Sequence, residues 1–155
     1  MMDTLLTPEV IAAIGREWPP VVHEVDRAGI RMWANAVGII DPVFHDENVA
    51  RARGFDGLPA PPGFVGVPRQ MPGEDDPGPP IRGLHPDLGR SLNGGTEFEY
   101  LAPILAGDEL EATTSIVDIQ EREGSIGPML LITRETTYRR HGEAVAFLRA
   151  TVINY

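Results

Sequence analysis

Thr96-Glu97-Phe98-Glu99-Tyr100 opens the part of the chain whose reading decides the fold. Polar and aromatic residues alternate there, which is the period-2 pattern of a strand with one covered face. Pro103 and Gly107-Asp108 then mark a turn. Leu110 to Ile119 reads as a second strand, followed by a turn at Glu121-Arg122-Glu123-Gly124. Met129 to Arg139 reads as a third strand, His141-Gly142 as a tight turn, and Ala144 to Asn154 as the last strand. Four strands in this order predict an antiparallel meander.

Upstream the character is different. Thr7 through Trp18 reads as a short amphipathic helix, with Thr7 as N-cap, Pro8 at the first helical position and Val10, Ile11 and Ile14 on one face. Pro19-Pro20 stops it, and the β-branched run Val21 to Val25 suits a first strand. Asp26 caps a predicted helix over Arg27 to Val37, with Ile30, Trp33, Ala34 and Val37 at helical spacing and Gly38 ending it. A short helix is expected over Asp46 to Arg53. A further one is expected to start near Pro61 to Gly63, and the acidic, Pro- and Gly-rich stretch 72–80 reads as an exposed loop. Helices and one strand followed by four strands indicate an α+β domain with its helices on one face of the sheet.

At 155 residues the chain is long enough for one domain, 1–155, with a single core. A net charge of −10 with scattered basic residues argues against nucleic acid as a partner. No apolar run is long enough to span a membrane, and the first residues do not look like an export signal, so a cytoplasmic location is expected. The chain has no cysteine, which removes thiolate catalysis and disulfides. All thirteen basic residues are arginine, so Schiff-base chemistry on lysine is excluded. His23, His85 and His141 show no metal-ligand spacing, and no Gly-x-Ser-x-Gly elbow supports a serine hydrolase. His141 falls in a hairpin turn, His85 reads as part of an exposed loop, and Trp33 reads as core. No metal or cofactor is implied.

Gly38-Ile39-Ile40-Asp41-Pro42-Val43-Phe44-His45-Asp46, followed by Ala50-Arg51 and Gly54-Phe55, resembles the overhanging loop of the MaoC-like hydratases and dehydratases. That loop reads Gly-Asp-x-Asn-Pro-(Leu/Ile)-His-x-Asp-x-x-x-Ala in the active family, where its Asp and His form the catalytic pair. Registering on Gly38, Pro42, Asp46 and Ala50 places Ile39 at the Asp and Phe44 at the His. The resemblance covers nearly the whole chain. Ala36 to Phe64 is similar to the N-terminal MaoC-type, or FAS1-like, dehydratase domain. Later landmarks follow at Leu92-Asn93-Gly94-Gly95, Pro103 with Gly107-Asp108, Gly124 through Gly127, and Gly142 through Ala146. The family implies a hotdog fold, an antiparallel sheet wrapped around a central helix. It also implies a homodimer or a heterodimer with a catalytic MaoC-like subunit, and acyl thioesters of coenzyme A or acyl carrier protein as ligands.

Ile39 and Phe44 cannot exchange protons, so the parent mechanism is not expected to run here. The substitute candidates are His45, next to the expected position, and Asp41. Neighbouring side chains on an extended loop point in opposite directions, which gives His45 a rim position. Asp41 before Pro42 suits a turn hydrogen bond, and Asp46 suits a helix cap. Ala60-Pro61-Pro62-Gly63 is a candidate for receiving the thioester oxygen. Pro62 lacks an N–H, which leaves Gly63 as the adjacent donor. Substrate contacts are expected at Pro62, Gly63, Phe64, Asn93 and Gly94. Three functions fit these residues: a non-catalytic or weakly catalytic hydratase or dehydratase subunit, a self-sufficient enzyme using His45 or Asp41, and an acyl-binding scaffold.

Overall fold

The computed structural model describes residues 4–66 and 84–155. Helix α1 covers Pro8–Ile11, strand β1 Val21–Glu24, helix α2 Arg27–Ala36 and helix α3 Glu47–Ala52. Strands β2 (Ser91–Tyr100), β3 (Glu109–Gly124), β4 (Gly127–Arg140) and β5 (Glu143–Asn154) complete a five-stranded antiparallel sheet in the order β1-β3-β4-β5-β2. This is the expected α+β hotdog fold.

The strand order corrects the four-strand meander. β3, β4 and β5 do form one, but β2 pairs with β5, from Ser91 opposite Asn154 to Tyr100 opposite Ala146. The physical reason is the connection 101–108, which is too long for a tight hairpin and is held by other partners. Leu101 and Ala102 donate to the Val145 carbonyl, Ala106 donates to Leu58, Gly107 donates to Val25, and Ala60 donates to Ile104. The connection therefore crosses the end of the sheet as a bonded layer and delivers β3 beside β1. The predicted turn at Glu121 to Gly124 is also corrected: those residues continue β3, paired as far as Gly124 opposite Gly127, and the turn is Ser125-Ile126. The His141-Gly142 turn is as expected. Both residues have positive φ, 53° and 83°, as a two-residue hairpin following the strand twist requires.

Helix α1 starts at its predicted cap, where the Thr7 side chain accepts from the Val10 N–H, but it ends seven residues before Trp18. Gly15 turns left-handed at φ 86°, and the Arg16 and Trp18 backbones then bond to Ile116 and Thr114 of β3. Pairing with the sheet ends the helix. Val10 and Ala13 are buried there, whereas Ile11 and Ile14 are exposed.

Alternate β3 residues Leu110, Ala112 and Ile116 are buried and share one side of the sheet. Leu110 and Ala112 belong to a core with Val25, Ile30 of α2, Leu58, Phe64, Ile104, Tyr138 and Val145. Ile116 belongs to a second core with Leu5, Val10, Leu88, Leu130 and Ile132. Where the central helix was expected, Pro62-Gly63 forms a turn and Phe64–Gly66 a 3-10 helix; the continuation lies outside the described residues, as does the loop 72–80. No helix among the described residues is long and apolar enough to cross a membrane.

Candidate functional site

The loop after α2 is set at both ends by capping. Gly38, at φ 76°, lets the Ile39 N–H reach back to the Ala34 carbonyl and closes the helix. Asp46 accepts from the Asn48 N–H at 2.8 Å and opens α3. Glu47 binds Arg27 of α2 and Arg51 of its own helix, at 3.3 and 3.0 Å, tying the two helices together around the loop. Between the caps, Pro42–Phe44 forms one 3-10 turn with Val43 buried beneath it.

This geometry settles where each candidate side chain lies. Asp41 caps the 3-10 turn by accepting from the Val43 N–H at 3.0 Å and holds the Arg53 guanidinium with both oxygens, at 2.8 and 2.9 Å. The Val43 N–H first, and Arg53 second, hold its carboxyl below the usual carboxylate range. His45 folds back onto its own loop, with Nε2 2.8 Å from the Ile39 carbonyl. A carbonyl can only accept, so Nε2 carries a proton in this contact. Arg31 donates to the His45 carbonyl at 3.0 Å and braces the turn from α2. Ile39 is half-buried, and Ile40 projects into solvent at 90% exposure.

Phe44 points elsewhere. With Phe55, Pro59, Ala60, Pro62 and the segment Tyr100 to Ile104 it lines a cleft of 370 Å³. That size suits a small organic ligand. Every lining side chain except Tyr100 is apolar. Tyr100 ends β2, and its hydroxyl accepts from the Gly63 N–H at 2.9 Å. Burial pushes its phenol up, with the Gly63 N–H acting in the opposite direction. Tyr138, 4% exposed, donates to the Val65 carbonyl at 2.8 Å and so anchors the same turn from below. Burial, more than the neighbouring Tyr100, pushes its phenol up to about 12.

The structure thus brings Phe44, Pro62 and Gly63 to one place, with Phe64 5% exposed in the core behind them. Asn93 and Gly94 are not part of it. They lie at the far end of β2, where the register shifts between Asn93 and Gly95, and Gly94 is six strand positions before Tyr100, roughly 20 Å. A Cβ on Gly94 would come within 3.0 Å of Ile153 Cγ1, so that glycine serves close packing. A larger cleft of 540 Å³ lies along Glu24 to Ala28 and Gly107 to Glu109 and contains none of the predicted residues.

Among the other residues singled out, His85 corrects the exposed-loop reading. It is buried, and Nδ1 accepts from the Asp87 N–H at 3.3 Å. His141 is exposed in its turn, and the His23 ring lies 6.0 Å from that of Tyr138. Trp33 is half-buried against the core, its indole edge 3.4 Å from where a Gly63 Cβ would stand. Sequence reasoning missed Tyr100 and Arg53. The only trace of Tyr100's role is its place at a strand end before the apolar Leu101-Ala102-Pro103-Ile104 run.

Residues 12–148 match the model of the FAS1-like dehydratase domain region. A UPF0336 protein of Streptomyces avermitilis is 37% identical over 114 residues, which is 72% of this chain and 74% of the relative. The ChsH1-ChsH2 complex of Mycobacterium tuberculosis contains a chain that superposes with a TM-score of 0.79 at 22% identity, over 95% of this chain and 89% of that one. A chain of the C-terminally truncated HadBC complex from the same organism, a 3R-hydroxyacyl-ACP dehydratase, superposes with a TM-score of 0.70 at 24% identity, over 91% and 96%.

Proposed function

Because the chain belongs to the FAS1-like dehydratase-region family, we propose that it is the non-catalytic hotdog subunit of an acyl-thioester hydratase or dehydratase. It forms part of an acyl-binding cleft and relies on a partner hotdog for the acid–base pair. The observation that carries this reading is Phe44 in the wall of the cleft. At the position where the family's loop places an imidazole, this chain offers a hydrocarbon face.

The nearby ionisable groups support the same reading. Asp41 is engaged by a backbone N–H and by Arg53, and His45 is turned onto the Ile39 carbonyl. Neither belongs to the lining of the cleft. Moving a proton at Cα and water at Cβ requires such a group within hydrogen-bond reach of the ligand. A partner is supported by β2, an edge strand ten residues long with eight of them exposed, and by the two similar solved structures, each a complex.

The test is purification from the host under conditions that keep partners, followed by hydration of a crotonyl thioester. The chain alone is expected to fall short of the complex by about 10²–10⁴-fold, the usual contribution of acid–base catalysis. His45→Ala in the complex should be nearly silent. An isolated chain that hydrates the thioester at ordinary enzyme rates, and loses this on His45→Ala, would instead make it a self-sufficient enzyme with a relocated base.

A further inference from the structure

We propose that the Tyr100 hydroxyl is the hydrogen-bond donor that positions the carbonyl oxygen of an acyl thioester in the Phe44 cleft. The proposal rests on the acyl-binding reading above and adds to it a named contact. Three observations carry it. First, Tyr100 supplies the single polar side chain among the residues lining the cleft, so it is the one side chain of that wall that can donate to a polar atom of a ligand. Second, its oxygen accepts from the Gly63 N–H at 2.9 Å, while among the described residues no acceptor takes its own proton. A hydroxyl that accepts from one side is polarised and donates more strongly from the other. The Gly63 N–H, which sequence reasoning assigned to the thioester oxygen, is thereby passed on through the phenol. Third, the ring is held in place: Phe98, two residues earlier on the same face of β2, stacks on it at 6.1 Å and 11°.

The ligand that fits is an apolar chain carrying one hydrogen-bond acceptor. Phe44, Phe55, Pro59 and Ile104 cover the chain, and the phenol meets the acceptor. The burial-raised phenol keeps its proton at neutral pH, which a donor requires. Tyr100 is therefore a positioning residue on a subunit that itself moves no proton.

The experiment measures binding of octanoyl-coenzyme A and of its S-octyl thioether analogue, which lacks the carbonyl, to the full chain in the assembly in which it purifies. Wild type should prefer the thioester, and Tyr100→Phe, which keeps the ring, should lose about 2- to 12-fold in thioester affinity with thioether affinity unchanged, the range of one net hydrogen bond. The infrared carbonyl stretch of ¹³C-labelled thioester should lie lower on wild type than on the variant. Equal losses for both ligands would mean that the hydroxyl only props Gly63 and would overturn the proposal, as would no loss for either. If wild type binds neither ligand while its melting transition is intact, the acyl-binding reading itself falls, and this assignment with it.

Discussion

Replacing Tyr138 by Phe should destabilise the protein at neutral pH and stabilise it in alkali, so that the two stability curves cross. The Tyr138 hydroxyl, 4% exposed, donates to the Val65 carbonyl at 2.8 Å. Removing it should cost about 1 kcal/mol at pH 7, the typical net worth of such a bond. The alkaline side has the opposite sign. Burial raises the phenol from 10.0 to about 12 in the folded protein. The stabilisation from staying neutral is therefore complete below the unfolded value and is lost as pH rises through the folded one. For a two-unit difference the loss is about 1.4 kcal/mol at pH 11 and approaches about 2.7 kcal/mol above both values. The loss equals the hydrogen bond at about pH 10.7, beyond which the Phe variant should be the more stable. The chain suits the measurement because it has no Lys and no Cys to add alkaline titrations and carries only three Tyr. Denaturant melts of both proteins from pH 7 to 11.5, with phenolate absorbance followed in parallel, would test it. A stability difference that stays constant with pH, or a wild type that remains ahead at pH 11.5, would refute the reasoning that desolvation controls this phenol.

Asp41→Ala should lower the melting temperature more than Arg53→Ala, because it removes both the turn cap and the ion pair. Asp41 has a lowered pKa, so its stabilisation is present above the ordinary carboxylate value and is lost as pH falls through the folded one; the gap between wild type and Asp41→Ala should close in acid. Leu110→Ala, in the core beneath the cleft, should cost about 2–5 kcal/mol by chemical denaturation. Gly142→Ala places a Cβ at φ 83° and should cost roughly 1–2 kcal/mol by chemical denaturation. Restoring the family pair with Ile39→Asp/Phe44→His should confer at most slow hydration on the isolated chain; turnover at the rate of the native assembly would show that the loop alone was lacking.

Local chemistry was legible from the residues themselves. Thr7, Asp26 and Asp46 cap helices because a short oxygen-bearing side chain meets free N–H groups within three residues, and Gly38 and Gly142 turn left-handed because they lack a Cβ. Alternation marked the strands, and the register of the loop put Phe44 where an imidazole would be expected. All of these depend on neighbours a few positions apart. What the sequence did not disclose depends on contacts across long separations. β2 lies beside β5 because the 101–108 connection finds its hydrogen bonds at Leu58, Ala60, Val25 and Val145. Glu121 to Gly124 extends β3 because β4 continues to pair with it. Arg53 reaches Asp41 across twelve residues, and Tyr100 meets Gly63 across thirty-seven. Nothing in the local pattern of either partner specifies the other. Such pairs form only after the core has brought their backbones together, so the tertiary structure alone decides which groups face the cleft.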